Sequence, residues 1–156
     1  MAIIGVIGGN ECTPEIADQA EKMGALIALQ GHLLVCGGGG GVMLAAAKGC
    51  VLAGGTTLGI LPGTNKAEAN PYISIPIVTG MGIGRNVIIA RTADVLVAID
   101  GKYGTLSEIA YGLQLGKPVI ALNSWAIPGV QTFSSVEEAF RRIMEILNKS
   151  GSPENG

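Results

Sequence analysis

Charged residues are scarce in this sequence. Asp, Glu, Lys and Arg make up 14% of the 156 residues, against about a quarter in an ordinary globular domain. The ten basic residues form no run and are outnumbered by twelve acidic ones, for a net charge of −2. Aromatics are only 4%. The chain therefore lacks both the basic footprint and the stacking platform of a nucleic-acid binder. Its one histidine, His32, precedes a candidate strand, so no Ser-His-Asp triad can be assembled and a structural role is expected. The three cysteines, Cys12, Cys36 and Cys50, are odd in number and include no Cys-x-x-Cys pair. That argues against a disulfide framework and a zinc site, and no metal is expected. They read instead as buried free thiols in a reducing compartment. No apolar run nears the roughly 18 residues a bilayer-spanning helix needs. The opening Met-Ala-Ile-Ile-Gly lacks the basic stretch of a secretory leader. A cytoplasmic protein with no membrane partner is the expectation.

Apolar residues and glycine are plentiful, at 48% and 25 residues. So little charge implies a very complete core and a surface partly covered by another subunit, because a monomer rarely exposes large apolar patches. A homo-oligomer, dimer or tetramer, is expected.

The apolar segments are short, rich in β-branched residues and separated by helical patterns. Residues 2–8, 33–36, 57–61, 94–99 and 118–122 read as strands buried on both faces. Residues 73–78 are interrupted by Pro76, which suits a short or edge strand. Helices are expected from Thr13-Pro14-Glu15 to the stop at Gly31, and over residues 42–53, 85–92, 105–116 and 135–148. Ser135 and Glu138 have the spacing of a capping box. Residues 62–71 and 124–133 read as loops walling a site, and residues 151–156 as a polar tail after one domain over residues 1–150. This alternation predicts an α/β fold of three-layer, Rossmann-like type: a parallel sheet with helices on both faces.

In such sheets a ligand binds beyond the carboxyl ends of the strands. Glycine-rich loops at residues 37–41, 80–84 and 101–104 each follow a strand and precede a helix. Their free N–H groups and positive helix ends suit a phosphate. The dinucleotide fingerprint G-x-G-x-x-G is broken at Val42, so NAD is not expected. Gly112 to Pro118 superficially follows a P-loop pattern, but with the wrong spacing and at the wrong end of a helix. Arg85 stands at a helix start, where a cation is ill matched to the dipole. It therefore needs an anionic partner, either a ligand phosphate or Glu108. Glu108 itself could be an ordinary capping-box carboxylate with Thr105. Asp100, at the ligand end of its strand, could touch a ligand, whereas Asp94 lies at the far end as a turn residue.

Four stretches together resemble a known family. They are Cys36-Gly-Gly-Gly-Gly-Gly-Val-Met43, Ala53-Gly-Gly-Thr-Thr-Leu-Gly-Ile-Leu-Pro62, Gly84-Arg85-Asn86 and Gly104-Thr105-Leu106-Ser107-Glu108. In order and spacing, over roughly residues 3–122, they are similar to the LOG (LONELY GUY) superfamily, formerly labelled lysine decarboxylase-like. The nearest branch is that of the molybdenum cofactor carrier proteins. LOG enzymes carry Arg-Lys and Pro-Gly-Gly-x-Gly-Thr-x-Glu-Glu. Here Arg85 is followed by Asn86, Asp100-Gly101-Lys102 replaces Pro-Gly-Gly, and Ser107 replaces the first Glu.

Rim and resemblance together mark a ligand- and phosphate-binding set. It comprises Gly8, Gly38, Gly39, Gly40, Gly41, Val42, Met43, Pro62, Gly82, Arg85, Asn86, Gly101, Gly104, Thr105 and Glu108. The expected function is a carrier for a phosphorylated pterin, the molybdenum cofactor, or for a nucleotide. The alternative is a phosphoribohydrolase cleaving nucleoside 5′-monophosphates to base and ribose 5-phosphate, with Arg85 and Glu108 catalytic.

Overall fold

Seven short strands, all parallel, form one sheet in the order β4-β3-β2-β1-β5-β6-β7. In this computed structural model, which describes residues 1–151, the strands are β1 (Ile3–Gly8), β2 (Leu33–Cys36), β3 (Thr57–Leu61), β4 (Ile75–Val78), β5 (Val95–Ile99), β6 (Val119–Leu122) and β7 (Val130–Phe133). Five helices connect or follow them: α1 (Pro14–Leu29), α2 (Gly41–Leu52), α3 (Asn86–Thr92), α4 (Tyr103–Gln114) and α5 (Val136–Ser150). The fold is the expected three-layer α/β arrangement. Apart from Gly151, which closes α5, the polar tail lies outside the described residues. No helix among the described residues is long and apolar enough to cross a membrane.

The period-two geometry of strands explains the two cores. Along β5, Val95, Val97 and Ile99 face α1, α2 and α5, together with Ala20, Met23, Ile27, Ala46, Phe140 and Ile143. Leu96 and Ala98 face the other way, onto Ile89, Ala90 and Ile109 of α3 and α4. Every residue of β5 is buried, which is why it reads as an unbroken apolar run.

Helix ends follow local chemistry. Thr13 Oγ1 accepts a hydrogen bond from the Ile16 N–H, with Pro14 in the first turn of α1. Ser135 accepts from the Glu138 N–H, but the Glu138 carboxylate takes the Ser134 hydroxyl, so only half of the expected capping box forms. Helices α1 and α2 press together through glycines. A Cβ on Gly24 would lie 1.9 Å from the Ala46 carbonyl oxygen, and one on Gly49 1.8 Å from that of Glu21. Cys36 and Cys50 are buried as expected, and Cys12 is half-buried. Burial pushes the Cys36 thiol up to about 12, so it stays protonated and inert. His32 Nδ1 accepts from the Ala2 N–H, and Asp94 from the Ile3 N–H, together anchoring the start of β1.

One expected loop is corrected. Residues 130–133 form β7, an edge strand at the opposite side of the sheet from β4. Its four residues lack the apolar alternation of the inner strands, and pairing with β6 creates it. The preceding Ser124 and Trp125 do touch the site. They donate to the carbonyls of Asp100 and Lys102 and brace that loop.

Candidate ligand-binding site

β1 connects towards β2 on one side of the sheet and pairs with β5 on the other, so the chain changes direction there. Their carboxyl ends diverge into a crevice, as the topological rule for open α/β sheets requires. The crevice encloses about 410 Å³ and runs between the loops after β1, β2 and β5 and the turn before α3. That is ample for a small ligand. Of the marked set it gathers Gly8, Met43, Arg85, Asn86, Gly101, Gly104, Thr105 and Glu108. Sequence reasoning missed Ile7, Gly9, Asn10 and Glu11; Gly37, Ile83 and Lys102 come from the glycine-rich loops it marked without being singled out, and Asp100 was only a candidate. The signal was the Gly8-Gly9-Asn10 turn ending β1, which becomes informative only once β1 is known to lie at the reversal point.

Gly38, Gly39, Gly40, Gly41, Val42, Pro62 and Gly82 do not line the crevice. Several of their backbone groups are engaged within the chain. The Gly40 N–H donates to Asn10 Oδ1 and the Val42 N–H to the Gly9 carbonyl. Asn70 donates to the carbonyls of Gly38 and Gly39. Pro62 accepts from the Gly82 N–H. The glycine run is needed for close approach of chain to chain. A Cβ on Gly39 would lie 2.7 Å from Asn10 Oδ1, and one on Gly38 2.4 Å from Leu61.

Arg85 ends a 3₁₀ turn, Gly82–Arg85, directly before α3. Its Nε–H donates to the Ile60 carbonyl at 2.9 Å, one Nη to the Gly37 carbonyl at 3.4 Å, and the other Nη to Asn86 Oδ1. Three of the five guanidinium donors are thus occupied, fixing the plane and leaving two for a ligand. Gly37 leaves room for this arrangement: a Cβ there would fall 2.6 Å from Arg85 Nη2 and displace the guanidinium. Desolvation lowers the Arg85 pKa, and the charge of Glu108 opposes that shift.

Asn86 is only 3% exposed. While its oxygen holds Arg85, its Nδ2 donates to Ser107 Oγ at 3.2 Å and more weakly to the Gly104 carbonyl at 3.5 Å. Ser107 Oγ in turn donates to Gly104 at 2.6 Å. The Arg-Asn and Gly-Thr-Leu-Ser-Glu stretches are therefore one bonded unit, tying the start of α3 to the start of α4.

Helix α4 begins at Tyr103, two residues earlier than expected, so Gly104 and Thr105 lie in its first turn. No side chain caps it. Its leading N–H groups and the positive end of the helix dipole are left beside the crevice. The capping-box alternative for Glu108 is thereby removed. Glu108 carries no hydrogen bond, and no fully buried side-chain oxygen among the described residues lacks a partner, so its carboxyl opens onto the crevice. Burial raises its pKa to about 8, with Arg85 pulling weakly the other way. At neutral pH Glu108 is mainly a neutral acid that can donate a hydrogen bond. The crevice is also lined by Lys102, Glu11 and Asp100 beside Arg85.

Comparison with known proteins bears on the chain as a whole. An uncharacterised protein of Archaeoglobus fulgidus is 47% identical over 137 residues, covering 87% of this chain and 90% of that one. The molybdenum cofactor binding protein of the phototrophic bacterium Rippkaea orientalis superposes with a TM-score of 0.89 at 38% identity, over 94% of this chain and 97% of that one. The Moco carrier protein of Chlamydomonas reinhardtii gives a TM-score of 0.87 at 35% identity, over 95% and 98%. The model of the SLOG cluster4 family matches residues 1–150. With nearly the whole chain accounted for in this way, the protein belongs to the SLOG cluster4 family.

Proposed function

We propose that this protein is a carrier that holds the molybdenum cofactor, a phosphorylated pterin, in the β1–β5 crevice without transforming it. The observation that carries the reading is the meeting of three features in one crevice: the immobilised Arg85 fork, the uncapped start of α4, and the neutral Glu108 carboxyl. The first two suit a phosphate oxyanion. The third offers a hydrogen bond without adding negative charge beside it. The likeness to a molybdenum cofactor binding protein and a Moco carrier protein over almost the full chain supports that cargo. We read the carrier as a cytoplasmic homo-oligomer, in keeping with its unpaired cysteines and scant charge.

A nucleoside-monophosphate phosphoribohydrolase is the second reading, favoured by the convergence of Arg85 and Glu108. That chemistry wants an ionised carboxylate to activate water or stabilise an oxocarbenium-like sugar. Glu108, protonated until about pH 8, is poorly prepared for that role.

The test is thermal melting with the molybdenum cofactor, beside an assay of base release from AMP. A carrier is stabilised by about 2.7 kcal/mol when free cofactor stands at a hundred times its Kd, and the gain disappears in Arg85→Ala. Binding also weakens above pH 8, when Glu108 ionises, and this weakening is absent in Glu108→Gln. Base release abolished by Glu108→Ala overturns the carrier reading in favour of the hydrolase. Absence of any stabilisation by the cofactor overturns it outright.

A further inference from the structure

We propose that Asp100 selects the ring of the bound ligand by accepting hydrogen bonds from two adjacent N–H groups on one edge, the 2-amino lactam edge that a pterin and a guanine share. The inference rests on the crevice being the ligand site and deepens the reading given above. It concerns the end of the ligand away from its phosphate.

The crevice has two poles. Arg85 and Glu108, each acting on the other's charge, stand with Asn86 on the side of α3 and α4. Asp100, directly after β5, belongs with Glu11 to the side of the loop between β1 and α1. Cys12 of that loop has its pKa raised first by burial and then by the Asp100 charge. An anion suits the first pole. N–H donors suit the second, because a carboxylate only accepts.

The Asp100 backbone is held while its side chain is free. Its N–H donates to the Leu122 carbonyl at 3.0 Å, and its carbonyl accepts from Ser124 Oγ at 2.7 Å. The carboxylate makes no hydrogen bond or ion pair with any described residue, Lys102 included. The residue also sits at φ +53, where few residues other than glycine are found. Asn123, after β6, is the other such residue among those described, at φ +49. It uses its side chain within the chain, Nδ2 donating to Gln19 Oε1 at 3.1 Å. A turn of this shape needs only Gly or Asn, so the Asp100 carboxylate serves something beyond the turn. Glu108 tells the same story in the same crevice: it is only 6% exposed, opens into the crevice and has no partner. A desolvated polar group without a partner is costly unless a ligand supplies one.

The two oxygens of a carboxylate match two parallel N–H bonds. Guanine and pterin each present a ring N–H beside an exocyclic amino group. Hypoxanthine has the ring N–H without the amino group. Adenine has a ring nitrogen lone pair there, which would face a carboxylate oxygen.

The experiment is calorimetric titration of the wild type and of Asp100→Asn with GMP, IMP, AMP and 6-hydroxymethylpterin phosphate. The wild type is expected to bind GMP and the pterin ester at least tenfold tighter than IMP or AMP, since one hydrogen bond to a charged group is worth about tenfold or more. Whichever of the two binds tighter identifies the ring as guanine or pterin. Asp100→Asn offers a single acceptor and is expected to lose the preference. Asn tolerates positive φ, so the fold should persist, and Asp100→Gly is the second variant should it not. Equal affinity for all four ligands overturns the proposal, as does a preference that survives in both variants, or no binding of GMP or the pterin ester at millimolar concentration. The carrier reading fails separately, on the absence of stabilisation by the molybdenum cofactor. A missing ring preference beside intact cofactor stabilisation overturns this inference alone.

Discussion

Replacing Glu108 by Gln should stabilise the fold, and by an amount that grows with pH. In the folded chain this carboxyl keeps its proton up to about pH 8, because burial disfavours the charged form, while the unfolded chain releases it near the ordinary value of 4.5. Between those values the folded state binds the proton and the unfolded state does not. The contribution of Glu108 to stability therefore falls as pH rises through that window, and it is most favourable below 4.5. At about 1.4 kcal/mol for each pH unit between the two values, the penalty is roughly 3 to 3.5 kcal/mol at pH 7 and between 4 and 5 kcal/mol above pH 8, as upper bounds. Glutamine keeps the shape and cannot ionise. Urea unfolding of both proteins at pH 5.5, 7 and 9, extrapolated linearly, gives the difference directly, because all other titrating groups are common to the pair. The variant's advantage should widen by roughly 3 kcal/mol from pH 5.5 to 9. An advantage that stays constant across that range within the error of extrapolation would refute the reasoning, since Glu108 would then be hydrated in solution.

Two further outcomes follow from the packing and from the anchored start of β1. Gly49→Ala forces a methyl to within 1.8 Å of the Glu21 carbonyl oxygen, so α1 and α2 must separate; a loss of at least 3 kcal/mol, or failure to fold, is expected in a urea melt. The His32 pKa is lowered, chiefly by burial and then by the N-terminal charge, with Asp94 opposing. Its contribution to stability is accordingly complete above pH 6.5 and declines as pH falls below it, and that acid-side slope should be shallower in His32→Gln, read from melting temperature between pH 7 and 5.

Much of the molecule could be read locally. β5 shows itself as five consecutive buried residues because both its faces are covered. α1 announces its start at Thr13-Pro14, where cap and first turn are neighbours in the chain. Arg85 stood out because a cation at a helix start has no local reason to be there, and the structure places it in the crevice with two donors unused. These signals involve residues within one turn or one strand of each other, so the amino-acid order carries them whole.

Tertiary structure alone decided which amides are available. The five-glycine run suggested a phosphate cradle, yet Asn10, thirty residues earlier in the chain, takes the Gly40 amide, and Asn70, about thirty later, donates to the carbonyls of Gly38 and Gly39. β7 becomes a strand only through its neighbour β6. Glu108 becomes a neutral acid only because α4, the Arg85 turn and the β1 loop enclose it. The crevice lies where it does because β1 and β5, more than eighty residues apart, pair in parallel at the centre of the sheet. Periodicity and capping are short-range properties of the chain. Hydrogen-bond occupancy and desolvation are set by whichever distant segments fold against a group, and no single stretch of sequence contains them.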